Sequence, residues 1–284
     1  MPLRKSVRPP ARKRWGQNFL IDPNMIRKIV DTIDPRPDDR FLEIGPGHGE
    51  LTLPLAERAR AVTAVDIDPW LVDDLKKLVP ANVSIIQGDI LDADLARLLP
   101  VGSRVYGSLP YYISSPIIFR LLDHRRSWRD AHFILQKEVG QRLTAGPGSK
   151  VYGRMSVMVQ AFARVEPCFD LPPTVFRPEP KVESTLLSLR PLSETGAIDD
   201  HRLFAQVVRL AFGQRRKKLS NALKALDAGE LLAEMGLADL RAERVSVPDY
   251  IRLANRLVAR SDQGAVSDSS ANYRTDPDNS ELIE

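Results

Sequence analysis

The sequence contains one cysteine, Cys168, and only four histidines among its 284 residues. A single cysteine excludes an internal disulfide framework and a cysteine-rich zinc site, and the scattered histidines show no metal-ligand spacing. Long apolar runs are also missing. No stretch approaches the ~18 residues of a membrane-spanning helix, and the start of the chain lacks the apolar segment of a secretory signal. These absences predict a cytoplasmic protein that uses no metal and no membrane.

Acidic residues are absent from the first 15 positions, MPLRKSVRPPARKRW, which hold six basic side chains. Residues 261–284 show the opposite balance, with six acids, one base and few apolar residues, and this composition predicts a disordered tail. The whole chain has 41 basic and 37 acidic residues, so residues 1–260 keep 40 and 31 and carry a net charge of about +9. A basic folded region favours a polyanionic partner.

A second basic cluster, RLAFGQRRKKLSNALKAL, begins at Arg209 and is predicted to form a helix. One basic segment can serve solubility alone, but two separate clusters favour a nucleic acid. Such side chains contact phosphates, so binding depends on salt without reading sequence. The candidate RNA contacts are Arg12, Lys13, Arg14, Arg215, Arg216, Lys217 and Lys218. The Arg-rich start also allows an organelle transit peptide, but the motif beginning at Gly16 leaves little room for one.

Apolar strand patterns alternate with amphipathic helix patterns across the first half of the chain. The predicted strands are 41–44, AVTAVD, VSIIQGD, RVYGSLP and HFILQKE. Their alternation with helices implies right-handed crossovers and a parallel, doubly wound sheet of the Rossmann-like α/β class. EPCFDL and STLLSLRPL are predicted to add an antiparallel pair. Ligands of such sheets bind at the carboxyl ends of the strands.

A glycine loop, EIGPGHG, follows the first of these strands. Gly45 and Gly47 let a ligand approach the backbone, and Asp66 comes 21 residues after Gly45, the usual offset for an acid that binds a ribose diol. The glycine spacing disfavours a dinucleotide, whereas Glu43 followed by GxGxG is the pattern of S-adenosylmethionine (AdoMet) methyltransferases. Asp89 is placed to accept from the adenine amine. The predicted cofactor contacts of these loops are Glu43, Gly45, Gly47, Asp66, Ile67, Asp89 and Ile90.

The fourth predicted strand ends in SLPY, which resembles the signature of methyltransferases that act on exocyclic amines of nucleobases. Such an amine is a poor nucleophile because its lone pair is delocalised into the ring. The Ser108 hydroxyl and the Leu109 carbonyl are placed to accept its two protons, and Pro110 fixes the backbone. Tyr111 offers a ring face to an extruded base, worth ~1–3 kcal/mol. Transfer is then an in-line displacement governed by positioning, without a general base.

Five motifs occur in order along the chain: GQNFL, LEIGPGHGELT, SLPYYIS, VFRPEPKVES and FGQRRKKLSNAL. Together they resemble the KsgA-type small-subunit ribosomal RNA adenine N6,N6-dimethyltransferase family over residues 8–260. The resemblance implies transfer of two methyl groups from AdoMet to each of two adjacent adenosines in a hairpin near the 3′ end of 16S rRNA. It also implies that Asn18 and Leu20 contact AdoMet and that Ser108 lies at the reacting centre. Phe176 would then stack on the target adenine opposite Tyr111.

One position departs from the family pattern, because Ser108 stands where the family usually has Asn. A serine is shorter and lacks the amide, although its hydroxyl still accepts from the amine, directly or through a water. The departure therefore allows slower transfer, or a changed balance between the first and the second methylation.

The predicted domains are a basic arm at 1–14, an AdoMet-binding catalytic domain at 15–194, a small all-α RNA-binding domain at 195–260 and an acidic tail at 261–284. We expect a monomer that acts on rRNA within an assembling 30S particle. Two alternatives stay open: dimethylation of large-subunit rRNA, and a mainly non-catalytic ribosome-assembly factor. QRRKKLSNAL favours the small subunit, and the ordered cofactor motifs favour an enzyme. The two basic regions disfavour a small-molecule methyltransferase.

Overall fold

The computed structural model describes residues 17–110, 113–192 and 198–267. The predicted RNA contacts Arg12, Lys13 and Arg14 and the predicted stacking residue Tyr111 lie outside these ranges. The described chain divides into two compact units. The first contains the residues up to 141 together with 163–191, and the second contains 142–162 together with the residues from 192 onward. None of the described helices is long and apolar enough to cross a membrane.

The strands of the described residues all belong to the first unit. They are β1 (Phe19–Leu20), β2 (Arg40–Ile44), β3 (Ala61–Asp66), β4 (Val83–Gln87), β5 (Ser103–Ser108), β6 (Trp128–Gln136), β7 (Ala163–Leu171), β8 (Phe176–Arg177) and β9 (Ser184–Pro191). Seven form one sheet in the order β4-β3-β2-β5-β6-β9-β7, and β1 pairs with β8. Strands β2 to β6 are parallel, whereas β9 runs antiparallel to β6 and β7. The predicted Rossmann-like sheet with an added antiparallel pair is therefore confirmed.

The order of the sheet reverses at β2, which has β3 on one side and β5 on the other. Strand β2 is buried on both faces, with the apolar Phe41, Leu42 and Ile44 and one acid, Glu43, as expected for a central strand covered by helices. The loops after β2 and β5 diverge from this point and leave a crevice at the carboxyl ends of the strands.

Six α-helices follow the strands in the described residues up to 144. They are α1 (Pro23–Ile33), α2 (Thr52–Ala56), α3 (Pro69–Leu75), α4 (Leu95–Leu98), α5 (Ser114–Asp123) and α6 (Lys137–Thr144). Asp22, Asp68 and Asp94 cap α1, α3 and α4, because each carboxylate accepts from a backbone amide in the first turn. Proline then occupies the first position of α1 and α3, where its missing N–H has no cost.

A buried ion cluster closes the amino end of the sheet. The Arg104 guanidinium donates from Nε to Asp130 and from Nη1 to Asp39, each at 2.8 Å. It also donates to the carbonyls of Ile33 and Asp34 at the end of α1, at 2.6 and 3.0 Å. Arg104 therefore satisfies the last carbonyls of a helix and two buried acids at once.

The second unit is helical, as predicted. Its helices are α7 (Arg154–Gln160), α8 (His201–Gly213), α9 (Leu219–Ala222), α10 (Gly229–Glu234) and α11 (Val247–Ser267). Rings of Tyr152 and Tyr250 lie 6.0 and 5.9 Å from Phe212 of α8. The buried Tyr152 hydroxyl donates to the Val245 carbonyl and the Tyr250 hydroxyl to the Ala242 carbonyl, both at 2.9 Å. Aromatic packing with satisfied hydroxyls thus forms the centre of this unit.

Two predicted boundaries differ from the structure. Residues 142–162 were expected in the catalytic domain but belong to the second unit, because Tyr152 packs into its aromatic centre. Residues 261–267 were expected in a disordered tail, yet they continue α11. Composition predicted the wrong end because a helix that is anchored by earlier residues, here Leu253 and Leu257, extends into polar sequence at little cost.

Candidate active site

A cleft opens at the carboxyl ends of β2, β3, β4 and β5 within the first unit. It brings together most of the described residues that the sequence singled out: Asn18, Gly45, Gly47, Asp66, Ile67, Asp89, Ile90, Ser108, Leu109, Pro110 and Phe176. Among the described residues predicted to bind the cofactor or to act in catalysis, Leu20 and Glu43 do not line the cleft. Leu20 packs into the hydrophobic core instead.

The glycine loop forms the floor of the cleft. Gly45 and Gly47 have φ values of +72° and +59°, a conformation that L side chains rarely adopt. The Gly45 amide donates to the Val65 carbonyl at 3.0 Å and so ties the loop to β3. A side-chain carbon at Gly45 would lie 3.6 Å from the Ser108 carbonyl oxygen, and one at Gly47 would lie 3.1 Å from the Phe19 ring. The absence of side chains here keeps the floor open.

Asp66 ends β3 as a buried acid on the cleft wall. Its carboxylate accepts from the Asp68 amide at 2.9 Å, and Asp68 in turn accepts from the Gln17 side-chain amide at 3.2 Å. Burial raises the pKa of Asp66 to about 6, helped by the neighbouring Asp68 charge and opposed by hydrogen bonds from backbone amides, that of Gly47 included. Asp66 is therefore ionised at neutral pH and is an acceptor for hydroxyl groups.

Asp89 follows β4 and turns its own loop. One carboxylate oxygen accepts from the Leu91 amide at 2.9 Å, the geometry of an Asx turn. This bond holds the buried Ile90 against the cleft, while Ile67, after β3, remains partly exposed on the same cleft. Apolar side chains next to an acid form a wall suited to a flat ring that carries an amine.

Glu43 lies beneath the glycine loop rather than on the cleft surface. Its Oε2 accepts from the Thr52 hydroxyl at 2.6 Å and from the Tyr106 hydroxyl at 2.8 Å. Burial raises the pKa of Glu43 to about 8, an effect that these two hydrogen bonds oppose and that the Asp66 and Glu50 charges strengthen. Glu43 is therefore not in the predicted direct position on the cleft, because its side chain is buried and bonded to Thr52 and Tyr106.

The loop after β5 forms the wall facing the glycine loop. Ser108 is half-buried at the strand end, and the Leu109 amide donates to the Ile134 carbonyl of β6 at 3.1 Å. The Pro110 carbonyl accepts from the Ile113 amide at 3.1 Å, and α5 begins at Ser114. Backbone hydrogen bonds thus hold Leu109 and Pro110 in place.

The strand pair β1 and β8 joins the predicted cofactor segment to the predicted base-stacking segment. Leu20 pairs with Phe176 and Phe19 pairs with Arg177. The Phe19 ring lies over the glycine loop, with its centroid 4.3 Å from that of His48. Asn18 and Phe176 therefore reach the cleft from one small antiparallel ribbon.

Sequence reasoning missed ten lining residues: Gln17, Phe19, Ile44, Val65, Leu71, Gly88, Ile113, Ile117, Ile134 and Ser184. Most are apolar residues at strand ends or on helix faces, and their pattern is that of ordinary core positions. The strand ends Ile44, Val65 and Ile134 were predictable from the rule that ligands bind at carboxyl ends. Nothing in the sequence distinguishes Ser184 from other serines of β9.

The second basic cluster differs from its predicted helical form. Helix α8 ends at Gly213 and α9 begins at Leu219, so Arg215 to Lys218 lie in an exposed turn between them. Lys218, at the end of this turn, makes a β-bridge to Arg241. Arg215 donates to the Lys150 carbonyl at 2.8 Å, and the Lys218 ammonium pairs with Asp239 at 2.7 Å. Within the described ranges, neither Arg216 nor Lys217 has an acidic partner.

No group of three or more potential metal ligands occurs among the described residues. The cleft instead combines a glycine floor, two acids, apolar walls and a rigid strand-end loop on a doubly wound sheet. This combination defines a Rossmann-like methyltransferase.

Comparisons with known proteins identify the family. The family model for ribosomal RNA adenine dimethylase matches residues 9–258, and the chain belongs to this family. It is similar to the ribosomal RNA small subunit methyltransferase A of Xanthomonas euvesicatoria pv. vesicatoria and to that of Xanthomonas axonopodis pv. citri. Each is 46% identical over 260 residues, which cover 89% of this chain and 98% of the relative. The family predicted from the motifs is therefore confirmed.

Two solved structures extend the similarity to the fold of both units. A dimethyladenosine transferase from Plasmodium falciparum superposes with a TM-score of 0.78 at 25% identity, covering 86% of this chain and 98% of that one. The 23S rRNA methyltransferase ErmE superposes with a TM-score of 0.67 at 29% identity, covering 85% of this chain and 100% of that one. The chain is an rRNA adenine methyltransferase.

Proposed function

We propose that the chain binds AdoMet in the cleft and dimethylates N6 of two adjacent adenosines in the hairpin near the 3′ end of 16S rRNA, within an assembling 30S particle. Relatives at 46% identity that carry the name small subunit methyltransferase support the choice of rRNA. The exposed basic turn at 215–218 supports a phosphate-rich partner. We further propose that the protein is monomeric and cytoplasmic and uses no metal.

The donor and acceptor set of the cleft fits AdoMet. Asp66 would accept from the ribose hydroxyls and Asp89 from the adenine amine, with Ile67 and Ile90 beside the ring. The floor at Gly45 and Gly47 leaves room that a side chain would fill, and Asn18 closes it from β1. Two acids and no facing cation among these residues suit a ligand with positive charge. AdoMet, when bound, supplies a methyl group on a sulfonium to the target nitrogen.

The loop after β5 would hold the target amine. The Ser108 hydroxyl and the Leu109 carbonyl accept its two protons, which localises the nitrogen lone pair and aims it into the cleft. Phe176 provides a ring face for the extruded adenine, and we propose that Tyr111 provides the opposite one. The alkylated amine loses its proton to water, so no side chain here acts as a general base.

The observation that carries the proposal is the proximity of the two loops. The Ser108 carbonyl oxygen faces Gly45 so closely that an added side-chain carbon would be in van der Waals contact with it. A methyl donor over the glycines and an amine at Ser108 would therefore meet without movement of the sheet.

The direct test is incubation with labelled AdoMet and unmethylated 30S particles, followed by mapping of the modified bases. We expect two labelled methyl groups on each of two adjacent adenosines. Large-subunit RNA serves as the second arm, because the similarity to ErmE favours that alternative. Label in large-subunit RNA alone would contradict the proposal, and AdoMet binding without transfer to either substrate would favour the non-catalytic assembly factor.

Ser108 gives the sharpest variant. Ser108→Ala removes the hydroxyl acceptor, and we expect the transfer rate to fall about 100-fold while AdoMet affinity is nearly kept. Ser108→Asn should preserve or raise the rate, since an amide oxygen reaches further. Ser84→Ala, on an exposed position of β4, is the matched control. An alanine variant that methylates at the parental rate would remove the role of Ser108.

A further inference from the structure

A buried hydrogen-bonded triad lies one rung below the two loops of the cleft. The Glu43 oxygen Oε2 accepts from both the Thr52 and the Tyr106 hydroxyls, at 2.6 and 2.8 Å. All three side chains are at most 2% exposed. The triad therefore joins β2, β5 and α2 through a single oxygen atom, out of reach of solvent.

The strand register places this triad directly under the reacting loops. Glu43 and Tyr106 are partners across β2 and β5, and the next rung pairs Ile44 with Gly107. A side-chain carbon at Gly107 would lie 2.4 Å from the Ile44 carbonyl oxygen, so the strands approach closely at this rung. Tyr106 and Ser108 share one face of β5 because side chains alternate along a strand.

The triad is also an electrostatic support. Burial, opposed by the donors Thr52 and Tyr106 and assisted by the Asp66 and Glu50 charges, raises the pKa of Glu43 to about 8. Tyr106 stays protonated throughout, because its own pKa lies well above 10. The titratable groups that act on Glu43 are thus Asp66 at the end of β3, Glu50 just after the glycine loop, and Tyr106 itself. The Tyr106 and Thr52 hydroxyls are the hydrogen-bond donors to the carboxylate.

We propose that Tyr106 is a positioning residue of the cofactor site, whose hydroxyl fixes the Glu43 carboxylate beneath the glycine loop and favours its ionised form, so that the loop favours a cationic ligand. The inference rests on the proposed function, since the cation is AdoMet, which carries a sulfonium and an ammonium. Glu43 contributes charge from below the floor and need not touch the ligand. Tyr106 acts through Glu43 alone.

The expected pH dependence follows from the sign of the shift. A cation bound over the loop favours the ionised form of Glu43, so the contribution of Glu43 to AdoMet affinity rises with pH and levels off above about 8 in the parental protein. The AdoMet ammonium loses its proton in the same range for every variant, so each variant is compared with the parental protein at the same pH. Tyr106→Phe removes one donor from the carboxylate and keeps the ring. The levelling-off then moves to higher pH, and near pH 8 the affinity is lower by about threefold to tenfold, since a hydrogen bond to a charged group is lost.

The experiment is titration calorimetry of the full chain with AdoMet from pH 6.5 to 9.5, in two buffers of different ionisation enthalpy. We expect Tyr106→Phe to release more protons on binding at pH 8 than the parental protein, and to regain parental affinity by pH 9.5. Thr52→Val removes the other donor and should act in the same direction. Tyr152→Phe is the matched control, because it removes a buried hydroxyl that donates to a backbone carbonyl in the second unit.

The outcomes separate the inference from the proposed function. A parental protein that binds no AdoMet at any pH would overturn the proposed function and this inference together. A parental protein that binds, with a Tyr106→Phe profile that superposes on it or is displaced equally at every pH, would overturn the inference alone. A variant that regains affinity only at high pH would support it, because a purely structural loss would not be reversed by removing a proton.

Discussion

The two edges of the sheet in the first unit treat buried charge in opposite ways. At the amino edge, Asp39 and Asp130 are both bonded to Arg104. Burial opposes ionisation of Asp39, but hydrogen bonds from Arg104 and from the Arg36 amide, with the nearby positive charges, outweigh it and lower its pKa. At the carboxyl edge, burial dominates and raises the pKa of Glu43 and of Asp66.

The difference separates buried charge that is neutralised within the fold from buried charge that we propose serves a ligand. The acids of the amino edge already have their cation inside the protein. Those of the carboxyl edge accept only hydroxyl and amide donors, so their charge costs stability until a cation arrives from outside. In this unit, a raised carboxyl pKa next to the cleft therefore indicates a functional site, whereas a lowered carboxyl pKa indicates an ion pair that stabilises the fold.

The largest predicted effect comes from replacing Arg104, the buried cation of the amino edge. Arg104→Met removes the buried cation from Asp39 and Asp130 and leaves them only the exposed Arg129, so the free energy of unfolding measured with urea at pH 7 should fall by about 3–5 kcal/mol. The loss should shrink as the pH falls below 4, because the lowered pKa of Asp39 depends on Arg104. Arg129→Met is the control: its side chain is 55% exposed, and we expect about 0–1 kcal/mol. Equal losses of unfolding free energy in the two variants would contradict the difference between the two edges.

A smaller effect of opposite sign is expected beneath the cleft. The pKa of Glu43 is raised from 4.5 to about 8, so the parental protein loses stability as the pH rises through this window. Glu43→Gln keeps an oxygen for Thr52 and Tyr106 and carries no charge. Its unfolding free energy should match the parental value at pH 4 and exceed it by on the order of 2 kcal/mol at pH 9, while AdoMet affinity falls. Parallel stability curves would contradict this.

The smallest effect concerns Asp66. Its pKa is raised from 3.8 to about 6, so Asp66→Asn should gain stability between these values, by about 1 kcal/mol at pH 7.5. The amide oxygen can still accept from the Asp68 amide. AdoMet affinity should fall at least about tenfold, because a carboxylate accepts from a ribose diol more strongly than an amide. Thermal unfolding tests the predicted gain in stability, and calorimetry on the same samples tests the predicted loss of AdoMet affinity. An Asp66→Asn variant less stable than the parental protein would contradict the conclusion that burial dominates at this edge.

The carboxyl-edge loops were predictable because topology alone brings them together. Gly45, Asp66, Asp89 and Ser108 each follow a strand of a parallel sheet, and parallel strands end at one edge. Phe176 joined them only through the motif resemblance, since its pairing with Leu20 links segments far apart in the chain. The roles assigned to these residues remain predictions.

Other features escaped sequence reasoning for physical reasons. The sequence predicted Glu43 on the cleft surface because a motif shows only which residues are neighbours along the chain. It does not show that hydroxyl donors from β5 and α2 reach the Glu43 side chain. The sequence predicted a helix for Arg215 to Lys218 because a run of charged residues shows no periodicity that argues against one. The structure has a turn there, with a bridge from Lys218 to Arg241 that the sequence does not reveal. Arg104 drew no attention, because a lone arginine in a strand reveals neither of its two acids.

The chain passes between its two units at three points, after residues 141, 162 and 191. Neither unit is an uninterrupted stretch of sequence, so the helical unit cannot be exchanged between homologues by recombining genes at one junction. A cut after residue 191 would strand 142–162 without the partners of Tyr152 and leave an apolar surface bare. A chimaera that exchanges the helical unit for that of a homologue would therefore need three matched junctions.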